Sequence, residues 1–178
     1  MIDNPSNEII KQEQKERIEA YEERLAGNAS ILSEKEYQHF IMERLSKDNG
    51  YVIHKAVNYD RLFAVEWEML FKFLNATQPD EMTALRKIYK DDLKDTIVSL
   101  INTEETKARG SLLNVLKHGI EISNMKLEIK YTKPATDFNK DLLAKYEQNI
   151  FSVMEEVWAS DDERIDLVIF LNGLAIMS

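Results

Sequence analysis

The segment Ile165–Leu171 constrains the fold more than any other, because it is apolar throughout except for Asp166. An apolar run without alternation predicts a strand that is buried on both faces. Asn172-Gly173 follows this run and leads into a second one, Leu174–Met177. Asn-Gly between two such runs is the strongest short-range signal for a β-hairpin. We therefore predict a hairpin at the centre of the sheet.

A two-residue turn also predicts the pairing along this hairpin. It places Leu171 opposite Leu174, Ile169 opposite Ile176 and Leu167 opposite Ser178. Asp166 would then face the position after Ser178, so any partner group on the returning strand is expected just beyond these residues. Natural domains seldom end halfway along a central hairpin, and the sequence therefore suggests a truncated chain.

Helical periodicity fills the first two-thirds of the chain, and strand-like segments follow. Helices are predicted at about 8–26, from 33 to about 48, at 63–74, across 79–101 and at about 105–118. Strands are predicted at 51–55, 127–131, 150–158 and 165–171, with a short helix at about 139–147. This order predicts an α+β (mixed α/β) domain, with a helix-rich region followed by a small mixed sheet that contains the hairpin.

The first two helices carry different signals. Ser33-Glu34-Lys35-Glu36 is a capping box, in which Ser33 and Glu36 satisfy each other's backbone N–H groups at a helix start. The helix at 8–26 has only a thin apolar stripe among many charged residues. Two interpretations of residues 1–30 stay open, namely a solvated arm and a helix that docks onto another subunit.

Charge and composition narrow the class of protein. A net charge of −9 and a pI near 4.9 argue against a protein whose whole surface binds nucleic acid, but they leave room for a local basic groove. The absence of cysteine excludes disulfides, thiolate metal sites and a cysteine nucleophile. Neither a signal peptide nor a membrane-length apolar run occurs, so we expect a cytoplasmic protein.

Asp166 is the residue best suited to chemistry. A carboxylate within an apolar strand is costly unless it is paired, hydrogen-bonded or bound to a cation. It is therefore either a metal-binding carboxylate or an inert side chain at the exposed entrance of the strand. Lys126, Lys130 and Lys133 are the best candidates for phosphate contact, with a solvated face as the alternative. No nucleotide-binding motif and no metal-binding histidine spacing occur, so no cofactor-binding residue is predicted.

Seven segments over about 33–178 combine in a specific order and spacing. They are Ser-Glu-Lys-Glu-Tyr at 33–37, Asn-Tyr-Asp-Arg at 58–61, Phe-Leu-Asn-Ala-Thr-Gln-Pro at 73–79, Leu-Leu-Asn-Val-Leu-Lys-His-Gly at 112–119, Lys-Pro-Ala-Thr at 133–136, Tyr-Glu-Gln-Asn at 146–149 and Ile-Asp-Leu-Val-Ile-Phe-Leu-Asn-Gly-Leu at 165–174. Together they resemble the amino-terminal part of the restriction (R) subunits of type I restriction-modification enzymes. The last segment is the most specific.

The resemblance implies a PD-(D/E)xK-like nuclease domain over 31–178, with an incomplete core, a helical insertion at about 60–120 and an amino-terminal arm at 1–30. Asp166 matches the family's metal-binding Asp. Glu34 matches a Glu that helps to hold the metal, and Glu36 is the neighbouring alternative. The family's Glu-x-Lys on the next strand has no counterpart among these residues, so this chain by itself is expected to be inactive.

The resemblance also implies what the whole protein does. It would cleave foreign double-stranded DNA by Mg²⁺-dependent hydrolysis, use ATP in separate motor domains, and assemble with methylation and specificity subunits. Two other interpretations stay open, namely a helical module that docks onto partner subunits without catalysis and a different nuclease of the same fold.

Overall fold

The computed structural model describes residues 5–26, 33–101, 111–136 and 138–177. Helices come early in the chain and long strands come late, as the sequence predicts. The helices are α1 (Pro5–Ala26), α2 (Glu34–Asn49), α3 (Trp67–Thr77), α4 (Pro79–Tyr89), α5 (Leu93–Ile101), α6 (Ser111–His118) and α7 (Lys140–Glu147). The strands are β1 (Val52–His54), β2 (Tyr59–Asp60), β3 (Val65–Glu66), β4 (Ile120–Ile122), β5 (Met125–Leu127), β6 (Phe151–Trp158), β7 (Arg164–Leu171) and β8 (Leu174–Met177). The predicted α+β class is confirmed.

Helices α1 and α2 form an antiparallel pair. Ile18, from the thin apolar stripe of α1, is completely buried. Arg17 Nε lies 3.0 Å from Glu43 Oε1, and the rings of Tyr21 and Phe40 meet edge to face with centroids 5.8 Å apart. Among the side chains of α1 that the structure describes, Ile18 is thus buried and Tyr21 packs against α2, whereas most of the others are exposed.

The predicted start and stop of α2 are confirmed. Ser33 Oγ accepts a hydrogen bond from the Glu36 N–H at 3.3 Å, and the Ser33 N–H donates to Glu36 Oε2 at 2.9 Å. Gly50 ends the helix in the left-handed conformation with φ of 72°, which glycine adopts without a steric penalty. Helix α2 is thus held at both ends by local sequence.

Six strands form one mixed sheet in the order β1-β6-β7-β8-β3-β2. Strand β1 lies parallel to β6 at one edge, and the other neighbours are antiparallel. The predicted strands at 51–55, 150–158 and 165–171 are all present, whereas the two-residue strands β2 and β3 carry no alternating pattern. Because Val65 and Glu66 pair in the sheet, the helix predicted from residue 63 begins only at Trp67.

The central hairpin turns at Asn172-Gly173, as predicted. Both residues have positive φ, 50° and 81°, which suits a tight turn between twisted strands. Leu171 pairs with Leu174. A Cβ on Gly173 would lie 2.3 Å from the backbone oxygen of Glu66, so only glycine fits between the turn and the start of α3.

Further from the turn, the predicted register is wrong. Ile169 pairs with Met177 instead of Ile176, because a β-bulge between Ile169 and Phe170 shifts the pairing by one residue. The pair predicted at Ser178 lies outside the described residues.

The strand predicted at 127–131 is also misplaced. Strand β5 ends at Leu127 and pairs with β4 in a separate two-stranded sheet. Beyond it, side-chain amides take the place of a neighbouring strand. Gln78 bonds both the N–H and the C=O of Glu128 at 2.8 Å, and Asn149 bonds both backbone groups of Tyr131 at 3.2 and 2.7 Å. These bonds satisfy an extended backbone without a strand partner.

Two apolar clusters hold the domain together. The larger one joins α3–α6 to β4 and β5 and includes Val65 and Leu174 of the main sheet. The smaller one lies on the main sheet and contains Met154, Val168 and Phe170. None of the described helices combines the length and the apolar character that crossing a bilayer requires.

Candidate functional site

Asp166 lies on β7, an inner strand of the sheet, and its side chain is exposed. On either side of it, Glu155 pairs with Leu167 and Val157 pairs with Ile165. Asp166 therefore lies opposite Glu156 of β6, although these two residues are not themselves a paired position of the two strands. Glu156 has a positive φ of 53°, and Arg164 Nη1 lies 3.4 Å from its Oε1. Asp166 is therefore in contact with solvent and beside a second carboxylate whose charge Arg164 offsets.

Glu34 is the first residue of α2 and is also exposed. The capping bonds of that helix are made by Ser33 and Glu36. Glu36 thus has a structural role, which leaves Glu34 as the acidic residue of this turn that is not needed for the cap. A carboxylate in the first turn still interacts favourably with the helix dipole.

The two predicted metal ligands, Glu34 and Asp166, lie on different elements, α2 and β7. His39 of α2 contacts Glu155, so α2 packs on the face of the sheet that carries Glu155 and its partner Leu167. Successive side chains of a regular strand point to opposite faces, so Asp166 points away from its neighbour Leu167. No hydrogen bond or ion pair joins Asp166 to Glu34, and no group of three or more His, Asp and Glu within the described ranges is placed to hold a metal ion. The geometry therefore does not bring the two residues together, and their shared metal role stays a prediction.

The three lysines suggested for phosphate contact are partly engaged with neighbouring side chains. Lys126 Nζ lies 2.6 Å from Glu128 Oε1, and Lys130 Nζ donates to Thr132 Oγ1 at 3.0 Å. Lys133 is exposed. Because Glu128 offsets one of the charges, this stretch is only weakly basic.

A cleft of about 430 Å³ opens between the α1–α2 pair and the β1–β6 edge of the sheet. Its charged and titratable lining comprises Arg17, His39, Glu43, His54, Lys55, Glu155 and Glu156. Burial raises the pKa of Glu43, and the charges of Arg17 and His39 oppose that shift. The cleft thus collects acidic and basic groups from the consecutive elements α1, α2 and β1 and from the distant strand β6.

Next to this cleft, three polar side chains form a buried network. Ser152 Oγ donates to Glu66 Oε2 at 3.1 Å, and His54 Nδ1 contacts Glu66 Oε1. Glu66 and Ser152 are completely buried. Burial raises the pKa of Glu66, whereas the charge of His54 and the bonds from Ser152 and His54 lower it. Ser152 satisfies Oε2, and the imidazole of His54 lies beside Oε1, which has no aligned hydrogen-bond donor in the described part of the chain. These contacts lower the cost of burying the carboxylate.

Sheet curvature creates this network. Strands β1 and β3 are separated by three strands in the sheet order, yet His54 of β1 meets Glu66 of β3. The β2–β3 end therefore folds back over the face that carries Ser152 and Phe170. The rings of Tyr59 and Phe170, with centroids 5.7 Å apart, mark the same contact. Sequence reasoning missed these residues, and the one local signal was a carboxylate between Val65 and the apolar helix α3.

Comparison with protein-family models, with curated proteins and with solved structures finds no match to this chain. The functional argument therefore depends on the residues themselves and on the resemblance of the seven segments.

Proposed function

We propose that this chain is the amino-terminal nuclease region of the restriction subunit of a type I restriction enzyme. In the whole protein it would hydrolyse phosphodiester bonds of foreign double-stranded DNA with the help of Mg²⁺. The observation that carries the proposal is the ordered set of seven segments, which ends in a hairpin with Asp166 on its first strand. The mixed sheet flanked by helices is the architecture that the resemblance implies.

The proposed chemistry suits an exposed carboxylate. Mg²⁺ prefers oxygen ligands, keeps several waters and needs only one or two protein carboxylates. When bound, such an ion acidifies water and neutralises charge on the phosphate. The part of Asp166 is to hold the ion at the surface of β7, where a DNA backbone has access. Glu34 is the weaker member of the proposal, because it lies on the side of the sheet where α2 packs.

Substitution of Asp166 tests the proposal in the complete gene product. Asp166→Asn is expected to abolish Mg²⁺-dependent DNA cleavage and to leave ATP hydrolysis and subunit assembly intact, because it removes a charge from an exposed position without changing shape. Asp162→Asn is the matched control, since it makes the same change in the exposed β6–β7 turn. Cleavage that survives Asp166→Asn would remove this residue from the active site.

The alternatives give different results in the same assays. A docking module without catalysis predicts no cleavage by the wild-type gene product, together with binding to partner subunits. A nuclease of another system predicts cleavage that needs neither ATP nor the methylation and specificity subunits. The 178-residue chain alone is expected not to cleave DNA, because the family's Glu-x-Lys follows the metal-binding Asp, and no Glu or Lys follows Asp166 in this chain.

A further inference from the structure

His39 lies between two carboxylates at the contact of α2 with the sheet. Its Nε2 is 3.2 Å from Glu155 Oε2 on β6. Glu43 follows it by four residues on α2, and residues with this spacing are neighbours on one helix face. The imidazole therefore stands where the helix pair meets the strand.

Both carboxylates have an unsatisfied oxygen. Glu43 Oε2 and Glu155 Oε2 are buried and have no hydrogen-bond partner in the described part of the chain. His39 is within ion-pair distance of Glu155, but the two groups are not aligned as a hydrogen bond. A buried acceptor without a donor is destabilising, and a charged donor compensates it better than a neutral one.

Most of the other basic groups in and around the cleft already contact a carboxylate. Arg17 is engaged with Glu43 Oε1, and Arg164 with Glu156. His54 is engaged with Glu66. The remaining cation is Lys55, which is exposed, whereas the orphan oxygens are buried. Protonation of His39 places a positive charge next to these oxygens, and no ligand has to enter the cleft.

We propose that His39 is a proton-operated latch, which holds the α1–α2 pair against β6 when it is protonated and loosens it when it is neutral. Imidazole changes its charge near pH 6.5, within the range that cells and their compartments visit. The α2 contact is therefore tighter when His39 carries a proton.

Hydrogen–deuterium exchange of the 178-residue chain at pH 5.5 and 7.5 tests the latch, after correction for intrinsic exchange rates. The amides of α2 are expected to open roughly two- to fivefold less often at pH 5.5, which is the effect of a partly exposed ion pair. His39→Gln and Glu155→Gln should each abolish this difference, because one removes the titrating group and the other its anion. His118→Gln, at the exposed end of α6, is the matched control and should leave it unchanged.

Three results of the exchange experiment would overturn the proposal. They are equal α2 protection at both pH values in the wild type, a pH difference that survives His39→Gln, and one that survives Glu155→Gln. A pH effect that originates at His54 and Glu66 would appear in the amide exchange of β1 and α3, and it is therefore distinguished from an effect on α2. Should a variant fail to fold, the wild type still decides. The C2-proton NMR titration of His39 must then have the same midpoint as the opening of α2, and a mismatch rejects the latch.

Discussion

Replacing Asn172 should show how much of the fold depends on one side chain. Its Oδ1 accepts from the Ile150 N–H at 2.7 Å, and its Nδ2 donates to Ile129 C=O at 2.8 Å and to Asn149 Oδ1 at 3.0 Å. The Asn172 backbone N–H also donates to Ile150 C=O at 2.8 Å. This buried amide thus ties the hairpin turn to the start of β6 and to the irregular segment after β5.

The magnitude follows from the groups that Asn172→Ala would leave unpaired. The buried C=O of Ile129 loses its donor at a cost of about 1–3 kcal/mol, and the two part-buried partners lose about 1 kcal/mol each. Alanine also has to adopt the positive φ of 50°, which costs roughly 1 kcal/mol. The sum is about 4–6 kcal/mol, a large fraction of the roughly 5–15 kcal/mol that stabilises a typical domain.

Urea denaturation followed by circular dichroism measures this loss. Asn124→Ala is the matched control, because Asn124 also has a positive φ, 61°, but lies exposed in the β4–β5 turn. It should lose about 1 kcal/mol, so the difference between the two variants isolates the hydrogen bonds. If Asn172→Ala costs no more than Asn124→Ala, the amide does not hold these segments together and the reasoning fails.

Three further substitutions test other parts of the fold. Gly173→Ala should reduce the free energy of unfolding by more than about 2 kcal/mol, because the new Cβ would collide with backbone atoms. Gly50→Ala is the control, since a Cβ there meets open space, and it should cost only about 1 kcal/mol. Equal losses in thermal denaturation would contradict the collision. Ile18→Ala should cost about 2–5 kcal/mol in the same melt, and a loss below 1 kcal/mol would mean that α1 does not depend on this contact. The raised pKa of Glu66 means that its contribution to stability is fully present below the unfolded value near 4.5 and is lost as the pH rises through the folded value. Glu66→Gln should therefore flatten the stability curve above pH 4.5, and an unchanged curve would show that Glu66 does not titrate there.

The parts of the fold that could be predicted depend on local signals. The capping box, Gly50 and the Asn172-Gly173 turn are each defined by a few adjacent residues, and the structure agrees with all of them. The bulge beside Ile169 has no local signal, since the apolar run continues through it. The irregular segment after β5 alternates like a strand but is satisfied by Gln78 and Asn149, which are distant in sequence.

Candidate sites are harder to predict because they also depend on contacts between residues that are distant in sequence. The argument from sequence selected Asp166 because a carboxylate buried in a strand needs a partner. In the structure Asp166 is exposed, whereas Glu66 is completely buried, with His54 and Ser152 in contact with it. A sequence shows that a carboxylate stands among apolar residues, but the curvature of the sheet decides which carboxylate is enclosed. The case for a cation at Asp166 therefore depends on family resemblance and on the cleavage assay, whereas the case for a paired carboxylate at Glu66 follows from its burial and from its contacts with His54 and Ser152.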